Sequence, residues 1–173
     1  MMLFSILVTI VIVQRLIELF IAKQNQKWAE EHGGIEFGRD HYKYIVILHV
    51  AFFTSLIVEH LVKPSLISGW YFFFIVFLAA QCLRVWSLMT LGKHWNTRVI
   101  VIPNKEKVVN GPYRFLKHPN YVVVTLELFT LPFMFEAYIT AFSFTILNIF
   151  FLFFVRIPVE EEALRHLPNP ERN

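Results

Sequence analysis

The chain has 173 residues, a formal net charge of +3 and one cysteine, and 56% of its residues are hydrophobic. A mean hydropathy of +0.53 exceeds what a single soluble core of this size requires and points to membrane spans. The small net charge gives no footing to a nucleic-acid partner, and Cys82, alone in an apolar run, excludes an intrachain disulfide and a cysteine metal framework.

Five spans are expected, at about 3–22, 44–62, 70–91, 121–135 and 137–156. The first reads as a retained helix and not a signal peptide. No basic segment precedes it, Gln14, Arg15 and Glu18 interrupt it, and no small-x-small cleavage site follows. Arg15 and Glu18 stand three apart and are expected to pair. In the third span Gln81 and Arg84 repeat that spacing, and Arg84 is expected to reach Glu18 or Glu127. Glu127 lies two turns into the fourth span, a position equally suited to packing and to lining a cavity. Asn148 reads as an interhelical hydrogen-bond donor. His41 and His49 share one helix face, but no carboxylate or cysteine completes a metal site, so no metal is expected.

The fourth span is short. Only Glu136 and Ala137 separate it from the fifth, so the two read as a tight helical hairpin bent at Pro132. The fold class expected is therefore an all-α integral membrane protein of about five transmembrane helices, the last two a hairpin, followed by a C-terminal interfacial helix. Strands are hardly expected. Two parts are anticipated: three N-terminal helices over 1–91 and a core over 92–173. Thirteen Lys and Arg fall on the side of loops 1 and 3 and the C-terminus, against Lys63 alone on the other. That asymmetry places the N-terminus outside and the C-terminus in the cytoplasm.

Two polar clusters stand out. In GPYRFLKHPNY, 111–121, Gly111–Pro112 signals a turn, and RFLK suits one helical turn. Pro119 pushes His118 out of helical geometry and starts the fourth helix, whose positive end suits a carboxylate. His118 and Tyr121 flank that end. The second cluster, RIPVEEEALRH over 156–166, has Pro158 placed to begin a new helix and glutamates in its first turn. It reads either as an amphipathic interfacial helix or as half of a site, with Arg156 and Glu160 at one pocket mouth. Neither a GxGxxG nor a P-loop is present and strands are hardly expected, which excludes a soluble Rossmann methyltransferase or dehydrogenase.

These residues resemble the isoprenylcysteine carboxyl methyltransferase family of integral-membrane enzymes. The family pattern is a Gly-x-Tyr turn, Arg-His-Pro-x-Tyr, and a distal Arg-x-x-x-Glu-Glu-x-x-Leu. This chain offers Gly111, Tyr113, His118, Pro119 and Tyr121, then Arg156, Glu160, Glu161 and Leu164. Lys117 stands where the family has Arg, keeping the charge but losing the bidentate fork. The resemblance covers about 92–167. It implies S-adenosylmethionine as cofactor, enclosed by Lys105, Glu106, Lys107, Val108, Tyr113, His118, Pro119, Asn120, Tyr121 and Glu160, with Arg156 facing the acceptor. It also implies a lipophilic acceptor entering from the bilayer among membrane lipids. The stretches QRLIEL, KHWNTRVIV and HPNYVVVTLEL are similar to short bacterial members that O-methylate alkylpyrones. That makes a long-chain hydroxypyrone or phenolic lipid the preferred acceptor and a prenylcysteine carboxylate the alternative. A bacterial cell membrane is the implied location. Two other classes compete: an NADPH-dependent membrane reductase, for which the chain is short, and a non-enzymatic lipid-binding protein, which would not need His118, Tyr113, Arg156 and Glu160 together.

Overall fold

The structure, a computed structural model, describes residues 2–103 and 105–165. Among the described residues there are six α-helices: α1 (Met2–Glu31), α2 (Tyr42–Val62), α3 (Trp70–Leu91), α4 (Pro119–Met134), α5 (Tyr138–Phe151) and α6 (Ile157–Leu164). Also among the described residues, four helical stretches are long and apolar enough to cross a bilayer: Met2–Glu31, Arg39–Val62, Trp70–His94 and Tyr138–Leu164. α4, with 16 residues, is shorter, about 24 Å at 1.5 Å per residue. Large side chains such as Ile10, Phe20, Val50, Phe72, Ile146 and Phe154 stay exposed along these helices. Water would penalise such a surface, whereas lipid solvates it at no cost and leaves backbone pairing as the constraint that helices satisfy. The protein is an all-α integral membrane protein, as its composition indicates.

The described residues fall into two compact units. The first draws on Met1–Asp40, Leu91–Val108 and Ile157–Asn173. In it Asn25 of α1 donates to the carbonyls of Gly92 (3.1 Å) and Trp95 (2.8 Å), fixing the turn that follows α3. It also holds the structure's departure from an all-helical expectation. Strand β1 (Ile35–Phe37) pairs antiparallel with β2 (Val99–Val101), Glu36 opposite Ile100. Arg98 Nη1 meets Glu36 Oε1 at 2.7 Å beside the ladder. Ala163 of α6 is buried against Val99 and Val101, with Phe37 and Val159 around them. A three-residue pair is too short for period-two patterning to announce it.

The second unit comprises His41–Thr90 and Val109–Arg156. α4 and α5 form the expected hairpin, with Glu136 at φ 55 in its turn. Pro132 sits in the last turn of α4, and the helix stops at Met134. From α2, Glu59 accepts from the backbone N–H groups of Ile139 (3.0 Å) and Thr140 (2.8 Å) and from Thr140 Oγ1 (2.7 Å). A carboxylate thus caps the start of α5 from a neighbouring helix. Asn148 Nδ2 donates to Thr125 Oγ1 at 3.1 Å across the hairpin, the interhelical bond expected of it. Phe52, Leu56, Val123, Leu128, Leu131 and Met134 are buried in this unit.

One local expectation changes: the helical turn falls on GPYR (111–114), as a 3-10 turn, and not on RFLK. Pro158 falls in the first turn of α6, as expected, and a π-helical segment, Leu152–Arg156, leads into it from α5 without a break. In an uninterrupted α-helix the Pro158 ring would collide with the carbonyl four residues back. The wider winding of 152–156 lies where that collision would fall.

Candidate active site

Within the second unit the site residues gather at the open end of the α4–α5 hairpin. Gly111 has φ +58, and a Cβ there would lie 2.5 Å from Thr90 Oγ1 and 3.2 Å from Trp86 Nε1. Only glycine allows the turn to sit this close to the end of α3. The turn holds Pro112 buried and Tyr113 half-buried. Pro119 starts α4 and is itself buried, and His118 precedes it at φ −134, ψ 67 with no side-chain capping bond. Its ring instead stacks on Tyr121, centroids 5.2 Å apart and planes 19° apart. Lys117 is exposed.

Tyr121 is also the link to the distal motif. Its hydroxyl accepts from Arg156 Nε at 3.2 Å. Arg156, the last residue of the π segment, is only 7% exposed. The two sequence-distant motifs therefore meet at Arg156 and Tyr121, as the hairpin reading requires. Asn120 Oδ1 is buried and has no hydrogen-bond partner among the described residues. A buried acceptor left open costs about 1–3 kcal/mol, which a donor-bearing ligand at the positive end of α4 would recover.

The first unit carries the other sequence-predicted positions. Lys105 and Glu106 are exposed, and Lys107 and Val108 half-buried, in a stretch without regular structure. Glu160 is half-buried in the first turn of α6, the helix seated on the β1–β2 ladder.

The membrane-interior polar groups resolve into pairs. Arg15 Nη1 meets Glu18 Oε2 at 2.7 Å, and Gln14 Nε2 donates to Glu18 Oε1 at 3.1 Å. Arg84 pairs with Glu127, one of the two partners expected for it: Arg84 Nη2 lies 2.7 Å from Glu127 Oε2, and Gln81 Nε2 donates to the same oxygen at 3.1 Å. One residue beside the site went unassigned in the sequence. His41, just before α2, has Nε2 3.5 Å from Arg156 Nη1. Only its spacing from His49 drew notice, and nothing local in the sequence marks a partner 115 residues away.

The family profile described as isoprenylcysteine carboxyl methyltransferase (ICMT) matches residues 71–166, which contain both motifs that meet at Arg156 and Tyr121. The chain belongs to this family. It is a membrane-embedded methyltransferase. Among similar chains is YpbQ, an uncharacterized protein of Bacillus subtilis (strain 168), 44% identical over 163 residues, covering 94% of this chain and 96% of that one. An uncharacterized protein of Haemophilus influenzae (strain ATCC 51907 / DSM 11121 / KW20 / Rd) is 25% identical over 155 residues, covering 88% and 90%. No solved structure matches significantly.

Proposed function

We propose that this ICMT-family enzyme transfers a methyl group from S-adenosylmethionine to an anionic oxygen of a lipophilic acceptor drawn from the bilayer. The observation that carries this reading is the buried Arg156 guanidinium, held by Tyr121 at the open end of a hairpin of apolar helices. An acceptor that carries an oxyanion on an apolar tail suits a cation placed at the edge of lipid.

The cofactor, when bound, supplies a methyl group already activated by a sulfonium. The residues present fit such a ligand. The start of α4 favours its carboxylate, and the open Asn120 Oδ1 accepts from its ammonium. His118, Pro119 and Tyr121 shape that end, and Tyr113 covers the ligand from the 3-10 turn. Lys105, Glu106, Lys107, Val108 and Glu160 complete the set that the family resemblance assigns, Glu160 toward ribose hydroxyls or the ammonium. Arg156 orients the acceptor. An oxygen that is already anionic needs no strong base, so the protein's task is alignment and exclusion of water.

The preferred acceptor is the acidic enol of a long-chain hydroxypyrone, or a phenolic polyketide lipid, whose low oxygen pKa suits a site built around a cation. A prenylcysteine carboxylate, the acceptor in the family's name, is the second reading. The site is proposed to face the cytoplasm, supported by thirteen cations against one across the loops. Calorimetry of detergent-purified protein with S-adenosylmethionine, NADPH in parallel, tests the cofactor. A screen of hydroxypyrone, phenolic and prenylcysteine acceptors for methyl transfer tests the acceptor. Saturable binding of the first ligand and methylation of one acceptor class are expected; binding of NADPH alone would overturn the reading.

A further inference from the structure

α1 is longer than a bilayer needs. Its 30 residues run about 45 Å at 1.5 Å per residue, against a hydrocarbon core of about 30 Å. The excess lies at its C-terminal end, where the apolar run stops at Ala22 and KQNQKWAEE follows. Trp28 stands about 9 Å of helix past Ala22, and a helical side chain leans back toward the helix start. Its indole therefore falls at headgroup depth, where tryptophan is enriched. Three side chains gather on that indole. Lys93 Nζ lies over the ring, 5.3 Å from a centroid. His94 meets it edge-on, centroids 5.6 Å apart. His32 lies alongside at 4.5 Å, with Nδ1 2.7 Å from the Trp28 carbonyl oxygen. All four residues belong to the first unit. The turn that brings in Lys93 and His94 is fixed, because Asn25 donates to the carbonyls of Gly92 and Trp95 and the Trp95 side chain is buried. Lys105 acts electrostatically on His94. The two acids that end α1 engage their own helix: Gln26 donates to Glu30 at 2.8 Å, and Lys27 lies 4.0 Å from Glu31.

We propose that this cationic, aromatic shelf binds the headgroup of an anionic phospholipid, with Lys93 as the cation that faces the phosphate and Trp28 as the ring that holds it at that depth. Charged lipid surfaces attract basic side chains placed at this level. The chain also offers a path for the acyl tails. Ile10 and Ile17 lie on the same stripe of α1 as Trp28, and both are exposed to the bilayer. A headgroup on the shelf thus has its tails along an apolar stripe directly below it, which a free phosphate ester would not use. Occupancy of this site requires neither S-adenosylmethionine nor the methyl acceptor.

The test titrates the purified protein, in micelles of uncharged detergent, with phosphatidylglycerol, phosphatidylcholine and glycerol phosphate, and reads binding by calorimetry. Wild type is compared with Lys93→Gln, Lys93→Arg, Trp28→Leu and Lys27→Gln. Wild type is expected to prefer phosphatidylglycerol to phosphatidylcholine by about fivefold or more, and to lose the preference as salt is raised. Lys93→Gln should abolish most of the preference and Lys93→Arg should keep it. Trp28→Leu should reduce it by about twofold to fivefold, the worth of an exposed cation–π contact. Lys27→Gln removes the same charge from another face of α1 and should leave the preference intact. A wild type without preference, or Lys93→Gln with the wild-type preference, overturns the site. Equal losses in Lys27→Gln and Lys93→Gln would show a diffuse surface potential and overturn it too. Glycerol phosphate bound as tightly as phosphatidylglycerol would overturn the lipid as occupant. Lys93 is exposed, so Lys93→Gln decides the matter even where Trp28→Leu fails to fold.

Discussion

Arg84 of α3 and Glu127 of α4 form a 2.7 Å ion pair with side chains only 1% and 4% exposed. The pair joins the middle of α3 to the helix whose first turn carries the candidate site. Breaking a buried pair by removing one partner costs about 3–5 kcal/mol, whereas replacing both is often close to neutral. Arg84→Leu and Glu127→Leu should each lower the midpoint of thermal unfolding in detergent steeply. The double variant should recover most of the loss. A double variant no better than the worse single one would show that the pair does more than pack.

Gly111 is asked to do two things at once, adopt a positive φ and lie against Thr90. Gly111→Ala should therefore destabilise through both, the backbone part costing about 1–2 kcal/mol. Adding Thr90→Ala removes the collision with Thr90 but neither the close approach to Trp86 Nε1 nor the backbone cost. Thermal unfolding of the single and double variants should show partial rescue, with S-adenosylmethionine affinity following the same order because Tyr113 rides on this turn.

The proposed roles of the two distal-motif residues separate cleanly. Glu160→Ala should weaken S-adenosylmethionine binding by about tenfold to a hundredfold, the worth of a hydrogen bond to a charged group. Arg156→Ala should leave that affinity near wild type and impair methylation through the acceptor. Equal cofactor affinity in wild type and Glu160→Ala would remove Glu160 from the site.

Much of this was legible in the sequence because membrane solvation leaves a loud signal. Long apolar runs gave the helices, and their few interior charges had few places to go: Arg15–Glu18 follows from spacing, Glu127 is one of the two partners expected for Arg84, and Asn148 is expected to donate across helices, with Thr125 as its partner visible only in the structure. The hairpin, deduced from the two residues between runs, accounts for Arg156 arriving at Tyr121. What stayed hidden depends on tertiary contact. The β1–β2 ladder is three residues long and lies in segments rich in charge. His41 looks like any histidine near a helix start until Arg156 is placed beside it. Pro158 reads as a helix start by its local preference, and only the π winding before it shows how it fits within a continuing helical path.

The pair of Lys63 and Glu136, 3.0 Å apart, gives a pH dependence. The hydrogen bonds from Lys63 and then Ser65 lower the Glu136 carboxyl below its ordinary 4.5. The hydrogen bond to Glu136 raises Lys63 above its ordinary 10.5. The carboxylate's contribution is complete above 4.5 and is lost as pH falls through its depressed value. The ammonium's is complete below 10.5 and is lost as pH rises through its elevated one. Lys63→Met should therefore unfold at a lower temperature than wild type at neutral pH, by a small margin because the pair is exposed. The two proteins should converge in acid.

Glu59, Lys63 and the backbone of Ile67, which donates to the Met134 carbonyl at 3.0 Å, all fasten the closed end of the α4–α5 hairpin. Mechanically the two helices are a pair of tines clamped at the root. For a given thermal energy the displacement of a clamped tine is greatest at its tip, and the tips carry Tyr121 and Arg156. If the proposed acceptor is right, its alkyl tail would enter beside the arginine, from the leaflet at that end of the hairpin.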